Sequence, residues 1–135
     1  MTDSAPEQEF GVTTAGGVPV VAGPAEIDIG NAHRLREALE SAGSGQEILV
    51  ADLSRTEFCD SSGLSALLMA HKRMHARGGE LRLVLGGPVV RRLLALTGMD
   101  KIFRTWDSLA EALAAAPPDP ASPPDPAQPA PPLAH

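Results

Sequence analysis

The segment Phe58-Cys59-Asp60-Ser61-Ser62-Gly63-Leu64 gathers the residue types most able to do chemistry. It follows the apolar run Ile48 to Leu53 and leads into Leu64, Leu67, Leu68 and His71, a stripe with helical spacing. The segment therefore stands where a buried strand turns into a helix. At such a turn a polar side chain meets unpaired backbone N–H groups at the positive end of the helix dipole. A serine there can cap the helix, act as a nucleophile, or accept a phosphate. Asp and Ser are both favoured capping types, so composition alone leaves capping open for Asp60, Ser61 and Ser62. The nucleophile reading fits poorly. A hydrolase elbow has glycine two residues on each side of its serine, whereas Ser61 has Cys59 before it and Gly63 after it. His71 and His75 lie roughly 15 Å or more along the same helix at about 1.5 Å per residue. His33 precedes the motif, and His135 is the last residue.

Other constellations carry less. His71 and His75 have i, i+4 spacing, but no Glu follows His71 as in H-E-x-x-H and no third ligand is evident, so no metal is expected. Gly86-Gly87-Pro88 enters a helix without the spaced glycines and Lys-Ser/Thr pair of a phosphate-binding loop, and no cofactor is expected. The basic residues Lys72, Arg73, Arg77, Arg82, Arg91 and Arg92 read as a solvated outer face, since too few aromatics accompany them to stack nucleic-acid bases. Cys59 reads as a small buried residue. Asp28 reads as a residue that opens the first helical region.

The elements that position the motif alternate. Val18 to Ala22 reads as a strand, with Pro19 suggesting an edge. Asn31 offers an N-cap to a helix carrying Leu35, Ala38, Leu39 and Ala42 and stopping at Gly43. After the strand Ile48 to Leu53 and the motif helix, which ends at Gly78 and Gly79, Leu81, Leu83 and Leu85 mark another strand. Pro88 starts a helix with Val90, Leu93, Leu94 and Thr97 inward and Gly98 as its stop. Lys101 to Trp106 is read as a strand, and Ser108 with Glu111 as a capping box for a last helix through Leu109, Ala112 and Leu113. Such alternation predicts an α/β fold with a mostly parallel sheet of four to five strands, right-handed crossovers and about four helices. Asp28, Asp52 and Asp60 are expected near the end of the sheet where the loops after parallel strands gather.

Composition bounds the rest. The 135 residues, 43% of them hydrophobic, make one small domain. No apolar run reaches the ~20 residues of a membrane span. The polar, acidic first nine residues do not resemble a secretory leader, and a single cysteine suits a reducing compartment, so a cytoplasmic location is expected. From Pro117 to His135, nine of nineteen residues are proline, a composition expected to remain disordered. The division is thus a leader over 1–9, a domain over 10–116 and a tail over 117–135. The formal charge of −6 includes five acids in the two ends; without them twelve acids face eleven bases. Residues 10–71 hold eight acids and three arginines, whereas 72–104 hold eight bases and two acids. This polarity points to a protein partner read by charge pattern, and neither nucleic acid nor membrane is expected as a partner.

Asp60-Ser61-Ser62-Gly63-Leu64, placed after Ile48 to Leu53, resembles the phosphorylation motif of the STAS-domain anti-sigma factor antagonists. Ala25-Glu26-Ile27-Asp28-Ile29-Gly30-Asn31-Ala32 resembles the acidic loop before that family's first helix. Gly78 to Val84 and Leu94 to Phe103 resemble its next two junctions. The likeness covers about residues 10 to 116. Cys59 departs from it, standing where a bulkier apolar residue is usual, as does Gly23-Pro24-Ala25 in place of a plainer glycine turn. The resemblance implies the STAS fold and a protein that is not an enzyme. Unphosphorylated, it would bind an anti-sigma factor that is also a serine kinase and so release a sigma factor. Phosphorylation at Ser61 would end that binding, and a serine phosphatase would reset it. Asp28, Asp60, Ser61, Ser62 and Gly63 are the implied partner-binding residues, in a monomer or weak dimer. The alternative is a constitutive STAS scaffold in a larger signalling or transport assembly, with Ser61 only a cap.

Overall fold

The computed structural model of the chain describes residues 10–117; the leader over 1–9 and the expected tail, from residue 118 on, lie outside the described residues. The chain opens on a hairpin of β1 (Gly11–Ala15) and β2 (Val18–Ala22). Its two-residue turn is Gly16-Gly17, both at positive φ, as a tight hairpin between right-twisted strands requires. After β3 (Glu26–Ile27) come α1 (Ala32–Gly43), β4 (Ile48–Leu53), β5 (Phe58–Cys59) and α2 (Ser61–Ala76). The chain continues through β6 (Glu80–Leu85), α3 (Pro88–Thr97), a 3-10 turn (Met99–Lys101), β7 (Arg104–Trp106) and α4 (Leu109–Ala114).

Five strands form one sheet in the order β1-β2-β4-β6-β7, antiparallel only between β1 and β2. β3 and β5 pair in parallel as a separate two-stranded ribbon. One sheet face, with Val21, Leu49, Ala51, Leu53, Leu81, Leu83 and Leu85, packs under α1, α2 and α3 through Leu35, Leu39, Leu67, Met74, Val90 and Leu94. The other face, with Val20, Val50 and Val84, is covered by Ala112, Leu109 and Leu113 of α4 and by Trp106. Because β4 and β6 are covered on both sides, their sequences are nearly continuous apolar runs.

Several expectations are corrected. Val18 to Ala22 is not an edge: β1 pairs outside it, and the ladder to β4 starts at Val20, one residue past Pro19, where the missing N–H does no harm. Lys101 to Trp106 is not one strand, since Lys101 ends the 3-10 turn and only Arg104–Trp106 joins β6. Thr97 is exposed rather than inward, its hydroxyl donating to the carbonyls of Leu93 and Leu94. Asn31 precedes α1 but its side chain does not cap it. Its Oδ1 accepts from the Asp28 N–H and its Nδ2 donates to the Glu26 carbonyl, so it shapes the loop after β3.

Arg82 overturns the solvated-face reading most clearly. It lies on the α4 side of β6 and is only 1% exposed. Its Nε donates to Glu80 at 2.8 Å, and its other nitrogens donate to the carbonyls of Ala112 and Ala116. Arg104 completes the cluster, bonding the other Glu80 oxygen and Ala116 while lying over the Trp106 ring. A buried guanidinium persists only when so thoroughly paired. Here it ties the end of α4 to the sheet. The Ser108 cap holds the other end of that helix, its Oγ accepting from the Glu111 N–H at 3.1 Å.

Candidate functional site

The β3–β5 ribbon builds the site. Ile27 stands opposite Cys59 in its parallel register, so Asp28 and Asp60 are the residues that leave the two paired strands at the same end. The Asp60 N–H closes the ribbon by donating to the Ile27 carbonyl at 3.1 Å. Thr56, buried beneath the loop, donates its hydroxyl to the Pro24 carbonyl at 2.8 Å and locks the two approaches together.

Asp60 is the N-cap of α2. Its Oδ1 accepts from the N–H groups of Ser62 at 2.8 Å and Gly63 at 3.2 Å. This settles the capping question for Ser61: the capping bonds are made by the neighbouring carboxylate. Ser61 is the first residue of the helix and is exposed. Ser62 is half-buried, donates its N–H to Asp60 and lines the space between α1 and α2. Asp28 is half-buried, and its Oδ1 accepts from Gly30 N–H at 2.9 Å. Asp52, at the end of β4, similarly accepts from Ser54 N–H.

Gly63 is buried. A methyl group there would come within 2.5 Å of Cys59 Sγ and 2.7 Å of Ile27 Cγ2. Its place among the predicted site residues is therefore to let α2 sit directly on the ribbon, carrying Ser61 with it. The same contact accounts for the small residue at 59. Burial, with the Asp60 charge second, pushes the Cys59 thiol from 9.0 up to about 12, so it is held as an unreactive thiol.

Ser61, Asp60, Asp28 and Ser62 thus come together. His71 and His75 do not join them; their rings stack on each other 5.7 Å apart, and His71 meets Phe103 edge-on. Sequence reasoning passed over the apolar residues around the serine. Ile29 is 81% exposed, with Phe58 and Met69 also largely open. The available signal was Ile29 itself, a large apolar residue set between Asp28 and Gly30 in a loop.

The model of the STAS domain matches residues 10–112. The chain belongs to the STAS-domain anti-sigma factor antagonist family. Anti-sigma-F factor antagonist RsfB of Mycobacterium tuberculosis is 37% identical over 98 residues, covering 72% of this chain and 80% of that protein. An anti-sigma F factor antagonist of Paenibacillus polymyxa is 32% identical over 99 residues, with 72% and 85% covered. Among solved structures, an anti-sigma factor antagonist from Mycobacterium paratuberculosis superposes with a TM-score of 0.71 at 36% identity, covering 82% of this STAS chain and 95% of the other. The relatives support a general role as an antagonist of anti-sigma factors.

Proposed function

We propose that this STAS protein binds an anti-sigma factor with serine kinase activity through the surface around Ser61, frees a sigma factor by doing so, and is switched off by phosphorylation of Ser61. The observation that carries the reading is the division of labour at the start of α2: Asp60 caps the helix, and Ser61 is left exposed beside it. Asp28 and Asp60 contact the partner or its kinase centre, Ser62 supports the helix start, and Gly63 seats it. A soluble cytoplasmic regulator reset by a serine phosphatase completes the proposal.

In the transfer, Ser61 Oγ bonds to the γ-phosphorus of ATP held by the partner, the bond from that phosphorus to the bridging oxygen breaks, and ADP leaves. The hydroxyl proton passes to a base of the kinase. Two physical consequences turn the product into a weak binder. A phosphoserine adds about −1.5 to −2 charge, and Asp60 already occupies the Ser62 and Gly63 N–H groups that could have donated to it. The new dianion also faces the nucleotide phosphates of the kinase that made it. Burying it in the complex without a paired cation carries a large desolvation cost.

The test is to incubate the protein with Mg²⁺, ATP and each purified serine-kinase anti-sigma factor of its source organism, and to map phosphate by mass spectrometry. Phosphate on Ser61, binding retained by Ser61→Ala and binding lost by Ser61→Asp are the expected results. Undiminished affinity of Ser61→Asp would make the chain a constitutive scaffold instead.

A further inference from the structure

Resting on that reading, we propose that the groove between α1 and α2 is a second contact region that selects the anti-sigma factor, seating a partner segment in which a large apolar side chain stands beside a carboxylate. The groove has a volume of about 380 Å³ and begins beside the switch serine. Ile29, Ala32 and Arg36 form one wall, and Ser62, Ala66 and Met69 the other. Its apolar surface is open: Ile29 is 81% exposed and Met69 45%.

Charge decides what fits. Arg36 and Arg73 both reach toward Glu40, at 4.0 and 3.8 Å, so one carboxylate serves two guanidiniums. Exposed His33 lies on the same side. Pairs as long and as exposed as these are weak, so a partner carboxylate can engage Arg36 without breaking a strong bond. At the Ser61 end the surface instead carries Asp28 and Asp60. The interaction surface is therefore bipolar along one to two turns of α2, acidic at the switch and cationic in the groove. A matching partner presents a basic group to the first and an acidic, apolar-tipped segment to the second. An acidic small amphiphile or a second copy of this chain would satisfy only the groove. The bipolar arrangement, continuous with the switch surface, favours the anti-sigma factor as occupant.

The proposal is tested by calorimetry with the full-length protein and the purified anti-sigma factor that binds it in the Ser61 experiment. Ile29→Ala and Arg36→Gln are each expected to weaken binding by about tenfold or more, with the unfolding midpoint unchanged for Ile29→Ala, since Ile29 is 81% exposed, and little changed for Arg36→Gln, since half-buried Arg36 makes only a long, weak pair with Glu40. Arg36→Glu should weaken it further, and a Glu→Lys or Asp→Lys change in the partner should restore it. If Ile29→Ala and Arg36→Gln bind like the parent while Ser61→Asp does not bind, the groove proposal fails and the switch stands. If no anti-sigma factor binds the parent protein, the proposed function fails and the groove proposal with it. If Ile29→Ala dissociates a homodimer in sedimentation without changing anti-sigma affinity, the groove is a self-interface and the proposal is overturned.

Discussion

Asp60 and Ser61 are adjacent, both are good helix-capping types, and the structure gives them different work. The carboxylate holds the helix start, and the hydroxyl is exposed. Two further predictions belong to single residues. Gly63→Ala gains helix propensity worth about 1 kcal/mol, but its methyl would fall 2.5 Å from Cys59 Sγ and 2.7 Å from Ile27 Cγ2, neither at the far end of a flexible chain. Overpacking of a buried contact costs about 1–3 kcal/mol, so the steric term should win and urea unfolding should show net destabilisation. Gly63→Ala combined with Cys59→Ala should recover part of the loss. Cys59 sets a pH dependence. Its folded pKa is raised, so the stability it confers is complete below the unfolded value near 9.0 and is lost as pH rises toward about 12. Unfolding free energy should fall above that lower value with a slope approaching about 1.4 kcal/mol per pH unit. Cys59→Ala should flatten the decline, and an unchanged slope would contradict the assignment. At this scale the motif was legible because Asp, Ser and Gly have distinctive roles at a helix start. Ile29 was not, because an apolar residue in a loop has no signature until its exposure is known.

Between elements, the β3–β5 ribbon brings Asp28 and Asp60 to the same end, and the Arg82 cluster fixes α4. Long amphipathic helices and the buried strands β4 and β6 could be read directly from periodicity, and so could the Ser108 cap. The ribbon could not, since strands of two residues carry no period. β1 escaped for a related reason: its residues are exposed apart from half-buried Ala15, so Gly11 to Ala15 lacks a core-facing apolar pattern. Arg82 was misread because charge alone suggests solvent, and only the positions of Glu80, Ala112 and Ala116 show how it is paid for in hydrogen bonds. Removing one member of a buried ionic network typically costs about 3–5 kcal/mol. Arg82→Met is therefore expected to lower stability by about 3 kcal/mol in denaturant unfolding, less than the upper figure because Arg104 still pairs with Glu80. Hydrogen exchange should show α4 as the region most loosened. A variant as stable as the parent would show that the cluster does not anchor the helix.

Across the whole molecule, the asymmetry of charge noted along the sequence takes a spatial form. The acids of the first part include Asp28 and Asp60 around Ser61, whereas the bases of the later part include Arg82 and Arg104, which hold the fold, and Arg73, which lies beside Glu40 near the α1–α2 groove. The most direct test is the affinity of the stoichiometrically Ser61-phosphorylated protein for its anti-sigma factor, measured by calorimetry beside the unphosphorylated protein. The account predicts at least a tenfold loss, equivalent to about 1.4 kcal/mol, restored when a phosphatase removes the phosphate. Equal affinity of the two forms would contradict it.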